Sequence, residues 1–264
     1  MFTDAQVKYL SIDGLDIAYK ISGVGERYAI ILQGWGTNLE LYDGIARLLG
    51  DNYKILQFDF PGFGKSTEPD VGWSVSQNAV FFLKLCAALG IDSATLIGHS
   101  YGGRVIIEIA SGNSNFEIDK IVLVDSAGVM PKRSAISKLK SKIFKGKRYL
   151  LTKTFIYPLF SVVIDDWLSR QGSEDYRNSS AVMKQCLVKA VNYDQVELMH
   201  NISADTLLIW GEMDDATPLS DGKVMEREIQ NSQLAIIEGA GHYSFIERPD
   251  IFASHLTSFL GCDK

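Results

Sequence analysis

Apolar positions fall into short blocks of two different periods along this chain. Residues 7–12 and 17–21 read as strands joined at Asp13-Gly14, a dipeptide suited to a two-residue hairpin turn. Residues 28–32 and 54–58 are short apolar runs. The first ends in Gln33-Gly34 and the second in Asp59-Phe60-Pro61-Gly62, both turn-forming strings. Ser74 then opens a helix, with Gln77 at the spacing of a capping box. Ala79, Leu83, Cys86 and Ala87 recur at helical spacing, and Gly90 ends the run.

Residues 94–97 form the next strand block and lead straight into Gly98-His99-Ser100-Tyr101-Gly102, with a helix expected through Ala110. Residues 118–124 are an apolar strand ending at Asp125. The pattern resumes with a strand at 206–210, a helix near 219–229 and a strand at 234–237. The last helix starts at Pro249, carries Phe252, Leu256, Phe259 and Leu260 on one face, and closes at Gly261. Strands alternating with helices build parallel βαβ units, and strands apolar throughout fit a sheet covered on both faces. The expected fold is therefore α/β, a mostly parallel central sheet with helices on both faces. Residues 128–201 break the alternation and read as helical. The expected division is a core of 1–127 and 202–264 with an inserted helical cap of 128–201.

Composition adds one asymmetry to this picture. The 264 residues are 46% hydrophobic and 22% charged, which excludes disorder, collagen and coiled coil as the main description. The net charge of −6 argues against a nucleic-acid binder. Residues 128–201 hold 13 Lys+Arg against 6 Asp+Glu, a net of +7, and the remainder holds 13 against 26, a net of −13. Nine of those basic residues lie between Lys132 and Lys153, with no acidic residue among them. A charge contrast of this kind suits an inserted piece with its own surface. Cys86, Cys186 and Cys262 are widely spaced, so neither a disulfide framework nor a zinc site is expected. The first twenty residues carry charge and no long apolar run, unlike a signal peptide. The run 155–164 is too short to span a bilayer and contains Pro158. A cytoplasmic protein with no integral membrane segment is expected.

The chemistry concentrates at strand ends. Gly98-His99-Ser100-Tyr101-Gly102 has the form G-x-S-x-G, a string that gains meaning between a strand and a helix. A sharp turn there lifts the serine hydroxyl clear of the backbone, and the flanking glycines remove Cβ clashes. Serine needs an adjacent base, oriented by a third group. Of four histidines, His99 lies inside the turn, His200 near the end of the cap and His255 within the last helix. His242 follows Gly239-Ala240-Gly241 in a loop after strand 234–237 and is the candidate base. The acid is expected at a strand end between Ser100 and His242. Asp214 fits, and Asp215 and Asp125 compete for the role. A tetrahedral oxyanion needs preorganised N–H donors. Tyr101 N–H, after the nucleophile, and Trp35 N–H, after strand 28–32, are the candidates, with both side chains facing the acyl pocket.

Together these pieces resemble the α/β-hydrolase superfamily over nearly the whole chain. The resemblance rests on Gln33-Gly34-Trp35-Gly36, on Asp59-Phe60-Pro61-Gly62-Phe63-Gly64-Lys65-Ser66 and on Gly98-His99-Ser100-Tyr101-Gly102-Gly103. It extends to Trp210-Gly211-Glu212-Met213-Asp214 with Pro218, and to Gly239-Ala240-Gly241-His242 with Glu247 and Pro249. It departs at Gln33, where the family usually has a His thought to brace the oxyanion loop, a task open to the Gln amide. Asp59 reads as a structural residue that holds its turn. Serine at position 100 argues against the dehalogenase and epoxide hydrolase relatives, which use Asp there.

The resemblance implies acyl transfer without metal or cofactor. Ser100 attacks a carbonyl, His242 takes the proton, Asp214 steadies the imidazolium, and the Trp35 and Tyr101 amides hold the oxyanion. The expected substrate is a small-molecule carboxylic ester with a small to medium apolar acyl group. Gln33, Gly34, Phe155, Phe160 and Trp167 are its expected contacts. Thioester, peptide and carbon–carbon bond cleavage use the same triad, and a ligand receptor of hydrolase fold is the alternative of another class. The basic run suits an anionic substrate or an acidic carrier protein. The core motifs also look like the esterases that act on methyl esters bound to acyl carrier protein.

Overall fold

A computed structural model describes residues 5–130 and 173–262. The chain divides into two compact units, Met1–Val129 with Ala181–Lys264, and Met130–Ser180. Phe155, Phe160, Trp167 and the basic run lie outside the described residues. The sequence pattern suggests a return to the core at 202. The structure returns at 181, because helix Ala181–Val191 buries Met183, Cys186 and Ala190 in the core of the larger unit. In the smaller unit, helix Glu174–Asn178 starts at Ser173, whose Oγ accepts from Tyr176 N–H at 3.3 Å. Among the described residues, no helix is long and apolar enough to cross a membrane.

The described residues build one eight-stranded sheet in the order β1-β2-β4-β3-β5-β6-β7-β8. The strands are β1 (Lys8–Ile12), β2 (Leu15–Ser22), β3 (Arg27–Leu32), β4 (Tyr53–Phe58), β5 (Ser93–His99), β6 (Glu117–Val124), β7 (Thr206–Gly211) and β8 (Ser232–Ile237). The β1–β2 and β2–β4 pairs are antiparallel, and the rest are parallel. Asp13 and Gly14 both take positive φ, 51° and 83°, the requirement of the hairpin turn that their identity suggests. The inner strands are apolar because both faces are covered. Along β3, Ile30 and Leu32 enter one core and Ala29 and Ile31 the other. β6 alternates likewise, with Ile121 and Leu123 opposite Val122 and Val124.

On the first face lie α2 (Val75–Leu89) and α3 (Tyr101–Ser111), and on the second α1 (Asp43–Leu49) and the last helix, α4 (Pro249–Leu260). The capping box of Ser74 and Gln77 forms, and Gly90 closes α2 in the left-handed region. The buried face of α2 is wider than its spacing suggests. It includes Asn78, Phe81, Phe82 and Leu85, while Ala87 is exposed and Leu83 half-buried. Both α1 and the 3-10 turn Leu39–Tyr42 before it were absent from the sequence pattern, since no apolar block is long enough to announce them.

The chain leaves β3 for β4 on one side and then crosses to β5 on the other. This reversal opens a crevice at the carboxyl ends of the strands, the usual place for a ligand in such sheets. Register brings those ends level: Leu32 pairs with Gly98, His99 with Val124 and Val124 with Ile209.

Candidate active site

Ser100 sits between β5 and α3 with φ 49° and ψ −110°, a strained conformation for a residue with a side chain. Its backbone is held from several sides. Ser100 N–H donates to Val124 O at 3.1 Å, and Ser100 O accepts from Gly103 N–H at 3.1 Å and Ala127 N–H at 3.0 Å. The glycines around it are required by close approach. A Cβ on Gly102 would lie 2.0 Å from Leu32 O, and one on Gly103 would lie 1.9 Å from Ser126 Oγ. Helix and neighbouring strands are thus pressed against the turn, and the strain is carried by packing.

Two loops bring the other candidates to this hydroxyl. His242 Nε2 lies 3.0 Å from Ser100 Oγ, and His242 Nδ1 lies 2.8 Å from Asp214 Oδ2. Asp214 is fully braced: its Oδ1 accepts from Ala216 N–H at 2.8 Å and Thr217 N–H at 2.9 Å, and its Oδ2 from Thr217 Oγ–H at 2.7 Å. Burial alone pushes the Asp214 carboxyl up. The hydrogen bonds from His242 and Thr217, with the His242 charge, outweigh this and hold it below the usual carboxylate value. Asp215 next door is exposed. Asp125, the other competitor, turns its carboxylate to Gly211 N–H at 2.7 Å and to Ser244 N–H and Oγ–H at 3.1 and 2.6 Å. It braces the ends of β7 and the His242 loop. His200 is exposed and His255 sits half-buried in α4.

The loop after β3 is braced from within. Gln33 Nε2 donates to Thr37 O at 2.6 Å, and Gly34 N–H donates to Tyr42 Oη at 2.7 Å. Gln33 and Gly34, the expected substrate contacts of this loop, are both buried and brace it. Trp35 N–H and Tyr101 N–H have no acceptor among the described residues. Tyr101 opens α3, where the helix dipole favours negative charge. Its side chain is buried against Trp35, Phe60 and Phe63, and its hydroxyl accepts from Asn78 Nδ2 at 3.0 Å. Asp59 accepts from Leu39 N–H at 2.7 Å and Lys65 N–H at 2.8 Å, the structural role its motif suggests. Among the described residues, no cluster of His, Cys, Asp and Glu is arranged to hold a metal ion. Two residues of this constellation escaped sequence reasoning: Tyr42, in a turn with no pattern, and Thr217, whose loop was legible but whose hydroxyl carried no signal.

A serine on a strained strand-to-helix turn, a histidine loop after the last strand and a mostly parallel sheet define an α/β enzyme fold. A model of the alpha/beta hydrolase family matches residues 29–255, and the chain belongs to this family. It is similar to the uncharacterized hydrolase YugF of Bacillus subtilis (strain 168), 24% identical over 267 residues, which cover 96% of this chain and 97% of that protein. It is also similar to a pimeloyl-(acyl-carrier protein) methyl ester esterase of Pectobacterium carotovorum subsp. carotovorum (strain PC1). That match is 23% identical over 258 residues, covering 91% of this chain and 97% of the relative. Among solved structures, a membrane phospholipase A, described as a novel bacterial virulence factor, superposes with a TM-score of 0.75 at 25% identity, over 97% of this chain and 86% of its own.

Proposed function

We propose that this protein is a serine carboxylesterase acting through Ser100, His242 and Asp214. The observation that carries the reading is the unbroken hydrogen-bond line from Asp214 through His242 to Ser100, at 2.8 and 3.0 Å, ending on a strained serine. Ser100 Oγ attacks the ester carbonyl carbon while His242 Nε2 takes its proton. The carbonyl oxygen becomes an oxyanion and accepts from Trp35 and Tyr101 N–H. The leaving alkoxide takes the proton from His242 and departs as alcohol. Water then attacks the acyl-enzyme by the same route and releases the acid. No step calls for a metal or an organic cofactor. Phe155, Phe160 and Trp167 lie outside the described residues, and their apolar character in the inserted segment is the ground for an apolar acyl group of small to medium size. The buried thiols of Cys86, Cys186 and Cys262 suit a reducing, cytoplasmic setting. Ser100→Ala should abolish hydrolysis of p-nitrophenyl butyrate and leave the melting midpoint near wild type. Retained hydrolysis would overturn the reading.

A second reading keeps the chemistry and adds a carrier. Nine basic residues between Lys132 and Lys153, and the name of one relative as an esterase of an acyl-carrier-bound methyl ester, favour an acidic carrier protein as partner. If so, kcat/KM on a carrier-bound methyl ester should fall steeply with salt while that on p-nitrophenyl butyrate stays level. Equal salt dependence removes the carrier.

A further inference from the structure

Four groups form one buried line across the floor of the site. Gly34 N–H donates to Tyr42 Oη at 2.7 Å, Tyr42 Oη lies 3.0 Å from His99 Nδ1, and His99 Nε2 lies 2.8 Å from the backbone O of His242. Tyr42 and His99 are 1% and 2% exposed, so water cannot substitute for a missing partner. The donors and acceptors admit one arrangement. A carbonyl oxygen only accepts, so His99 Nε2 carries the hydrogen. Nδ1 is then a bare acceptor, and the Tyr42 hydroxyl donates to it. That leaves the Tyr42 oxygen free to accept from Gly34. The line thus runs in one direction, from the oxyanion loop to the loop of the candidate base.

We propose that Tyr42 and His99 are positioning residues that hold the oxyanion loop and the His242 loop in one register about Ser100. The proposal rests on the esterase reading. Neither residue needs to touch substrate. Tyr42 occupies Gly34 N–H, which leaves the next amide, Trp35, as the donor to the oxyanion. His99 grips the main chain of His242, so the ring above stays turned to Ser100 and Asp214. Packing supports the same role: Tyr42 stacks on Phe245 at 5.4 Å, and His99 meets that ring edge-on at 5.2 Å. Position 34 must be glycine, since a Cβ there would lie 2.6 Å from His99 Nδ1. Burial, reinforced by His242, pushes the His99 imidazole down to about 3 and keeps it in the neutral form the line requires.

The test is a double-mutant cycle read in kcat and KM for p-nitrophenyl butyrate, with melting midpoints for every variant. Tyr42→Phe and His99→Phe should each lower kcat by about tenfold through misplacement of the reacting groups, with KM little changed. The double variant should fall no further than the lower single, because either change cuts the same line. His99→Gln keeps one donor and one acceptor on a similar span and should recover part of the loss. If His99→Phe does not fold, Tyr42→Phe and His99→Gln carry the cycle. Losses that multiply, a change in KM alone, or wild-type kcat in Tyr42→Phe would each overturn the proposal. A wild type that hydrolyses no ester and takes no fluorophosphonate on Ser100 would sink the esterase reading instead.

Discussion

The two sides of Ser100 are built from opposite materials. On the acid side, beyond β6, β7 and β8, two buried carboxylates are saturated with donors from Thr217, Ala216, Gly211 and Ser244. On the oxyanion side, after β3 and β5, the bracing groups are neutral: Gly34, Tyr42, His99, Gln33 and a cluster of aromatic rings. The difference follows from when charge is present. On the acid side Asp214 is held ionised in the resting protein, and a buried charge is tolerable only with its lone pairs satisfied. In the proposed reaction the oxyanion side receives charge only in the transition state. A resident anion there would repel it, so dipoles without net charge are the useful stabilisers.

The largest expected effect lies on the acid side. Asp214→Asn leaves the shape of the loop but presents an amide to His242 Nδ1. The imidazole then loses its anionic partner and adopts the wrong tautomer, for which kcat falls on the order of 10⁴-fold. Asp215→Asn should leave kcat unchanged, because that side chain is exposed and stands outside the line. Steady-state rates on p-nitrophenyl butyrate compare the two. Equal losses would break the assignment of the acid.

The matching change on the oxyanion side acts by contact. Gly102→Ala forces a methyl group to within 2.0 Å of Leu32 O, and backbone cannot move aside as a side chain can. Overpacking of this kind costs about 3 kcal/mol. The loop after β3 should be displaced, and kcat should fall by about 10². Urea unfolding and turnover measure both. Full activity in a stable Gly102→Ala variant would show that the loop is not held as tightly as the contacts imply.

A smaller loss is expected where one hydrogen bond among several is removed. Thr217→Val deletes the hydroxyl that donates to Asp214 Oδ2 at 2.7 Å, but keeps Thr217 N–H and its bond to Oδ1. A hydrogen bond to a charged group is worth about 1.5 kcal/mol or somewhat more, so kcat should fall about tenfold. A loss equal to that of Asp214→Asn would mean that Thr217 and Asp214 act as one unit.

The same division decides what could be read from sequence. Ser100, Asp214 and His242 stand at the ends of apolar strands, in loops with turn-forming residues, and each carries a side chain with few structural reasons to be there. The line of Gly34, Tyr42 and His99 carries no such mark. Tyr42 and His99 are 57 positions apart and meet only because β5 lies beside β3. A buried tyrosine in a 3-10 turn looks like any core aromatic until its hydroxyl is followed. Periodicity gave the position of α2 but not its full face, since Phe81 packs against Trp73 at 5.5 Å while Phe82 packs against Phe58 at 6.1 Å. The far end of the inserted segment is hard to read from sequence for a similar reason. Helix Ala181–Val191 breaks the strand–helix alternation in sequence yet packs into the core in space.

The smallest effect separates the two sides by sign. Asp125 is fully buried, and burial pushes its carboxyl from 3.8 up to about 7 despite three donors. Between those values the folded protein keeps a proton that the unfolded chain has released. Its contribution to stability therefore declines as pH rises through that window and is level above about 7. His99 behaves in the opposite sense. Its folded value of about 3 lies below the ordinary 6.5, so the unfolded chain takes up the proton first, and stability declines as pH falls through that window. Asp125→Asn and His99→Gln each remove one of these contributions. Melting midpoints relative to wild type should therefore slope oppositely across the shared range, rising with pH for Asp125→Asn and falling with pH for His99→Gln. Parallel slopes, or none, would mean that the charge state of the two sides is not divided as their hydrogen bonds require.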